Sequence, residues 1–151
     1  MTNTPLQLED YFFNKILIQS NPEFSKEEEL EGGEGSEGGF RAKVNLETLQ
    51  NNQDETKFQL NLKIGGFEGV NGQQPPYDIE LEVVGLFTVS ASYPEEKVLK
   101  LVQINGASIL YSAAREFVLM ITGRGQWGSF TIPTTNFSQA VQENEQKGNG
   151  E

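Results

Sequence analysis

The feature that most constrains this chain is a long helix predicted between Ser108 and Gly123. The segment has no proline and consists mainly of good helix formers; serine favours the start of a helix and glycine its end. Its apolar residues surround most of the helix, namely Ile109, Leu110, Ala113, Ala114, Phe117, Val118, Met120 and Ile121. A helix of this kind must be covered on nearly all sides. We therefore predict that a sheet covers one face and that a second subunit covers the other.

Four stretches before this helix predict β-strands. Residues 6–19 are aromatic and β-branched near their centre, as in a strand. Three later stretches alternate apolar and polar residues, which is the pattern of a strand with one wet face. They begin at Phe40, Lys57 and Tyr77. A short helix is predicted for residues 94–104, because proline and acidic residues favour a first helical turn. The prediction is an α+β fold, a four-stranded antiparallel sheet with one long helix and one or two short helices on one face.

The length of 151 residues is that of a single domain, residues 1–151. Residues 27–39 contain six glutamates and five glycines, a composition typical of a mobile, solvated loop. This acidic segment lacks the DxDxDG spacing of a calcium loop. A second flexible segment is predicted for the tail, residues 145–151.

The composition excludes most enzyme mechanisms. The chain has no cysteine and no histidine, so thiolate chemistry, cysteine-based metal sites and the commonest general base are absent. We therefore predict a protein that is not an enzyme and that has no cofactor or metal. The net charge of −11 argues against nucleic acid and anionic membranes as partners. The N-terminal residues lack a secretory signal pattern, and no stretch is long and apolar enough for membrane insertion, which favours the cytoplasm.

Three features near the long helix have simple structural interpretations. Residues 123–128 match the letters GxGxxG, but these glycines close a helix instead of opening one, so a dinucleotide site is not expected. Arg115 and Glu116 are the only charges inside the helix, and a buried charge persists only when it is paired. We interpret them as an ion pair across a subunit interface. Three aromatic residues flank the sheet and the helix and are candidates for an apolar binding surface. They are Phe24, Trp127 and Phe137.

The residues described above resemble the export chaperone SecB and its relatives. The resemblance is strongest where ILYSAARE is followed by GRGQWGSFTIPTTNF, residues 109–137. That pattern is similar to the family's long helix, the Arg-Gly at its end and the extended stretch that closes on Asn-Phe. YFFNKILIQSNPEF, residues 11–24, is similar to the family's first strand. The resemblance implies ATP-independent holding of unfolded polypeptides in apolar grooves by a tetramer, built as a dimer of dimers.

The resemblance also implies roles for particular residues. The residues in position for client contact are Phe24, Phe40, Tyr111, Trp127, Ile132 and Phe137. Those implied at the oligomer interface are Ile109, Ala113, Arg115, Glu116, Phe117 and Met120. In the family, the motor ATPase SecA docks on acidic residues of the sheet. Glu80 matches one of these positions, but the two first-strand positions fall on Lys15 and Gln19, and an apolar position falls on Asp78, which argues against the usual SecA surface.

Three functions are compatible with these observations. The first is a general holdase that keeps precursor proteins competent for translocation. The second is a SecB-like chaperone dedicated to one partner, such as the antitoxin of a toxin–antitoxin pair. The third is a carrier of small apolar ligands that uses the same groove. The sequence leaves open whether the assembly is a dimer or a tetramer.

Overall fold

The computed structural model describes residues 4–25 and 39–139. Apart from Gly39, the predicted acidic loop at residues 27–39 lies outside the described residues, as does the predicted tail at 145–151. The strands are β1 Leu6–Ser20, β2 Phe40–Gln50, β3 Lys57–Gly69 and β4 Tyr77–Val89. The helices are α1 Glu95–Leu101, a π-helical segment Val102–Gly106, and α2 Ala107–Thr122.

The four strands form one antiparallel sheet in the order β1-β4-β3-β2. Strands β2, β3 and β4 follow one another as neighbours, whereas β1 pairs with β4 at the opposite side of the sheet from β2. The register of β1 is interrupted twice, and that of β2 once between Arg41 and Lys43. Because each pairs with only one neighbour, β1 and β2 are the edge strands within the described part of the chain. The predicted α+β fold is confirmed.

The core lies between the sheet and α2. The inward residues of β3 are Phe58, Leu60, Leu62 and Ile64, all of them buried. They face Leu110, Ala114 and Val118 of α2, each 0% exposed. Gly85 of β4 allows this close approach, because a Cβ atom there would lie 2.6 Å from the ring of Phe87 and 2.8 Å from the side chain of Leu110. Burial of this alternating apolar row supplies the main stabilisation of the fold.

The helical region departs from the prediction in one respect. Instead of a short helix followed by a separate long one, residues 95–122 are continuously helical and contain the π-helical segment. Ser108 is therefore not an N-cap; its Oγ donates a hydrogen bond to the Ile104 carbonyl at 2.8 Å. Gly106 packs so closely on Leu60 and Phe87 that an added Cβ atom would lie 3.2 Å and 3.3 Å from them. The wider π turn brings this residue onto the sheet without breaking the helix.

Candidate functional site

A connector of extended chain follows α2 and returns across the sheet. Gly123 ends the helix, as predicted, but with a right-handed φ of −58°. Thr122 is buried, and its Oγ1 accepts a hydrogen bond from the Phe130 N–H at 2.8 Å. Further along, the Tyr111 hydroxyl donates to the Pro133 carbonyl, and the Tyr111 and Phe137 rings meet edge to face at 5.5 Å. These contacts fix the connector, residues 128–137, against the helix.

Tyr77 ties the start of this connector to the sheet. Its hydroxyl accepts a hydrogen bond from the Trp127 N–H at 3.0 Å and donates to the Gly128 carbonyl at 2.8 Å. The Trp127 Nε1–H donates to the Asn21 carbonyl at 3.0 Å, and its ring packs edge to face on Phe24 at 5.2 Å. The end of β1 and the start of the connector are thus joined through partly buried hydrogen bonds, which we call the Tyr77 hub.

Replacing Tyr77 by phenylalanine tests the hub. We expect the free energy of unfolding to fall by about 1–3 kcal/mol, because the Trp127 N–H and the Gly128 carbonyl lose their partner in a partly buried position. Denaturant titration followed by circular dichroism measures this change. Tyr93→Phe is the matched control, since no hydrogen bond of the Tyr93 hydroxyl is present among the described residues, and it should change stability by less than about 0.5 kcal/mol. Equal effects of the two variants would contradict the assignment.

The inner face of β2 carries a row of half-buried apolar side chains. Phe40, Ala42, Val44 and Leu46 alternate with exposed polar residues and pack against the core without being covered by it. The row borders the connector, because the Phe40 and Phe130 rings meet edge to face at 5.6 Å. This β2 row, at the edge of the sheet, is an accessible apolar surface with a rigid floor. It has the properties expected of a binding groove.

A second apolar surface combines exposed residues of α2 with the inner face of β1. Ile109, Met120 and Ile121 of the helix are exposed by 39%, 65% and 41%. Beside them, Phe117 stacks on Phe13 of β1 at 4.7 Å, and the inner face of β1 continues with the exposed side chain of Ile16. An apolar surface of this kind usually marks an interaction site. We call it the α2–β1 surface.

The outer face of the sheet has paired charges beside exposed apolar side chains such as Phe12 and Leu17. The Lys15 Nζ lies 2.7 Å from a carboxylate oxygen of Glu80, and this hydrogen bond with Glu80 raises the pKa of Lys15. Two more cross-strand pairs, Lys43–Glu68 and Lys63–Glu82, have N–O distances of 3.8 Å. All three pairs are solvent-exposed, so each contributes little to stability. Their effect is to reduce the negative potential of this face.

Two further properties of the described residues limit the chemistry. No group of three or more acidic side chains within residues 4–25 and 39–139 is arranged to hold a metal ion. No helix in those same ranges combines the length and the apolar character needed to span a bilayer.

Comparison with known proteins identifies the family. The sequence model described as "Preprotein translocase subunit SecB" matches residues 34–148, which is well over half of the chain. The chain belongs to the SecB family. This is a family of chaperones, and the family is not enzymatic. No curated protein matches the sequence at a significant level.

Two solved structures are similar to this SecB-family chain. One is a Mycobacterium tuberculosis SecB-like chaperone, Rv1957, in complex with a ChAD peptide from the Rv1956 HigA1 antitoxin. It has 14% sequence identity and a TM-score of 0.63, and the match covers 87% of this chain and 91% of that one. At this identity the likeness establishes the fold. The other is a Streptococcus agalactiae protein of unknown function, with 9% identity, a TM-score of 0.45 and coverage of 85% and 97%.

The residues that the SecB resemblance assigns to client contact differ in accessibility. Phe40 and Trp127 are half-buried and offer some surface. The others are buried in the protomer: Phe24 is 9% exposed, Tyr111 4%, Ile132 0% and Phe137 3%. Four of the six predicted residues therefore hold the connector and the hub in place, and they reach a client directly only if the connector moves. Burial also raises the pKa of the Tyr111 hydroxyl.

The residues assigned to the SecB-like oligomer interface are all exposed or half-buried in the protomer. Ile109, Met120 and Glu116 are exposed, while Ala113, Arg115 and Phe117 are half-buried. Neither charged residue forms an ion pair within the described ranges, and the Nε of Arg115 is buried without a hydrogen-bond partner there. Glu116 is therefore the more accessible of the two charges in the protomer.

Sequence reasoning missed several members of the β2 row. Val44 and Leu46 lie beside Phe40 on the same face of the strand, and their alternation with polar residues was visible in the sequence. Alternation indicates which side chains share a face, but it does not indicate which strand lies at the edge of the sheet. That position decides which residues of a row stay accessible.

Proposed function

We propose that this SecB-family protein is an ATP-independent holdase that acts in the cytoplasm. It binds unfolded or precursor polypeptides at the β2 row and keeps them soluble and competent for translocation. The observation that carries the proposal is the half-buried apolar row of an edge strand, bordered by a fixed connector. Family membership supports the same function.

Such a surface suits an unfolded client. Hydrophobic attraction is non-directional and scales with the apolar area removed from water, so a row of aliphatic side chains accepts many sequences. Because release requires only that the client find a better partner, neither a nucleophile nor a nucleotide takes part. The net charge of −11 attracts cationic client segments and keeps a loaded complex soluble.

We propose further that a second copy of the chain covers the α2–β1 surface, as part of a tetramer built from two dimers. The exposed Ile109 and Met120 provide the apolar contact. The half-buried Arg115 and the exposed Glu116 supply polar contacts across the interface. Helix faces of this composition are typical of interfaces between identical subunits.

Replacing Met120 by glutamate tests the assembly. We expect the variant to fold, because this side chain is 65% exposed in the protomer, and to form smaller species than the natural chain, because association would bury an unpaired charge. Light scattering after size exclusion measures the mass at several protein concentrations. Leu99→Glu, at a site that is 53% exposed on α1 outside this surface, is the control and should leave the mass unchanged. An unchanged mass for Met120→Glu would count against the interface.

Aggregation assays test the holdase function itself. A reduced, slow-folding secretory protein is diluted from denaturant with increasing amounts of the purified chain, without nucleotide. We expect light scattering from aggregates to fall to background near stoichiometric ratios, and a soluble complex to elute with the client. Aggregation that continues at several-fold excess would rule out the holdase proposal.

A dedicated chaperone for one partner is the second candidate. Two observations favour it: the similar M. tuberculosis chaperone was solved with an antitoxin peptide, and Lys15 neutralises Glu80 on the face where the family's SecA docking residues fall. This candidate predicts tight binding to the product of a neighbouring gene and weak protection of unrelated clients. Titration of purified SecA separates the roles further, since binding through the Glu80 face would favour export.

A further inference from the structure

The free edge of β2 adds backbone hydrogen-bonding groups to the apolar row. In the described part of the chain, β2 hydrogen-bonds only to β3 along one side. The irregularity between Arg41 and Lys43 disturbs the start of the strand, so the regular edge runs from residue 44 to residue 50. Such an edge is a template for another strand, and it extends for about 24 Å.

One hydrogen bond fixes which residues point to this edge. The N–H of Asn51 donates to the carbonyl of Lys57 at 2.9 Å, in continuation of the β2–β3 register. Alternate residues of an antiparallel strand turn their N–H and C=O groups to the same side. The odd-numbered residues from 43 to 51 therefore hydrogen-bond to β3. The even-numbered ones turn their groups to the free edge, and these are Val44, Leu46, Thr48 and Gln50.

The same residues carry the side chains of the inner face. Val44 lies opposite Ile64, Leu46 opposite Leu62 and Thr48 opposite Leu60, all within the helix-facing layer. Thr48 contributes a further polar group, because its Oγ1 is buried and has no hydrogen-bond partner within the described residues. Backbone groups and groove side chains are thus presented by one set of residues.

We propose that the client binds as an added β-strand along residues 44–50 of β2; this inference rests on the proposed function and specifies how that site holds a polypeptide. The client residues directly opposite Val44, Leu46 and Thr48 form the hydrogen-bonded pairs and place their side chains over the groove. The preferred client is therefore an extended segment with apolar residues at every second position. An apolar small molecule or a helix would fill the groove but would leave the backbone N–H and C=O groups of the β2 edge without hydrogen-bond partners.

N-methylated peptides test this geometry. The probe is a nine-residue peptide with leucine at every second position and serine or lysine between, in three forms: unmodified, N-methylated at the leucines, and N-methylated at the intervening residues. Methylation at the leucines removes the amides that face β2, so affinity should fall at least about tenfold, since several hydrogen bonds are lost. Methylation at the intervening residues should change affinity less than about threefold. Fluorescence anisotropy measures all three dissociation constants.

A variant pair assigns the binding to this edge. Thr48→Pro removes one edge N–H without breaking a β2–β3 hydrogen bond, and proline is tolerated on an edge strand in this orientation. We expect it to weaken the unmodified peptide several-fold, as the loss of one hydrogen bond predicts. Thr48→Val keeps the N–H and controls for the side chain.

The outcomes separate this inference from the holdase proposal. Equal affinities for the two methylated peptides, or the opposite order, would overturn strand addition while the aggregation assay still supports holding. An unmodified peptide that fails to bind a chain able to protect unfolded protein would overturn it too, since the edge is then occupied by another copy or unused. A chain with neither activity would remove the proposed function as well.

Discussion

Replacing Leu110 by alanine should lower the free energy of unfolding by about 2–5 kcal/mol. Leu110 is 0% exposed and lies at the centre of the contact between α2 and the sheet. Its Cδ atoms approach Gly85 of β4 so closely that a Cβ there would lie 2.8 Å away. Because a strand backbone forms one wall of the site, we expect little collapse around the cavity. Urea titration at fixed protein concentration measures the change.

Leu99→Ala is the matched control for this substitution. It makes the same chemical change in the same continuous helix, but its side chain is 53% exposed. Surface substitutions of this kind usually change stability by no more than about 0.5 kcal/mol. If Leu99→Ala lowers the free energy of unfolding as much as Leu110→Ala does, the burial of Leu110 does not account for its effect.

Replacing Leu46 by serine should weaken client binding by roughly tenfold. Leu46 is half-buried in the β2 row, and burying a leucine side chain fully contributes about 1.5–3 kcal/mol. Part of that burial already exists in the free protein, so the lower end of the range applies. The measurement is the dissociation constant for the alternating leucine peptide, together with the concentration needed to suppress aggregation by half.

Leu49→Ser controls for this prediction. Leu49 belongs to the same strand, is 43% exposed, and projects from the opposite face of the sheet. Its replacement should leave affinity unchanged within about twofold. If both variants bind the peptide as tightly as the natural chain does, the β2 row is not the client surface. If both lose affinity, the strand as a whole has been disturbed, which circular dichroism then reveals.

Strands β2, β3 and β4 were predictable because their burial follows the period of two. Phe58, Leu60, Leu62 and Ile64 alternate with polar residues in the sequence and are buried as a row in the structure. The long helix was predictable because its segment has no proline and consists mainly of good helix formers. Its inner residues Leu110 and Val118 reach the sheet, while Met120 stays exposed.

Other features depend on long-range contacts that local sequence patterns do not contain. The Tyr77 hub joins residues far apart in the chain, such as Asn21 and Trp127. The π-helical segment follows from the close packing of Gly106 on Leu60, which requires the sheet to be in place. Similarly, the SecB resemblance assigns Ile132 to client contact by position, although this residue is 0% exposed in the protomer.

Trp127 is the only tryptophan of the chain, and its indole ring rests on Phe24 while its N–H is held by the Asn21 carbonyl. Indole emission shifts to longer wavelength when the ring moves from a protein contact into water. The natural chain therefore contains its own optical reporter of whether the connector is docked. Stopped-flow mixing with a client free of tryptophan would then time any release of the connector without an added dye, and would separate that step from the binding itself.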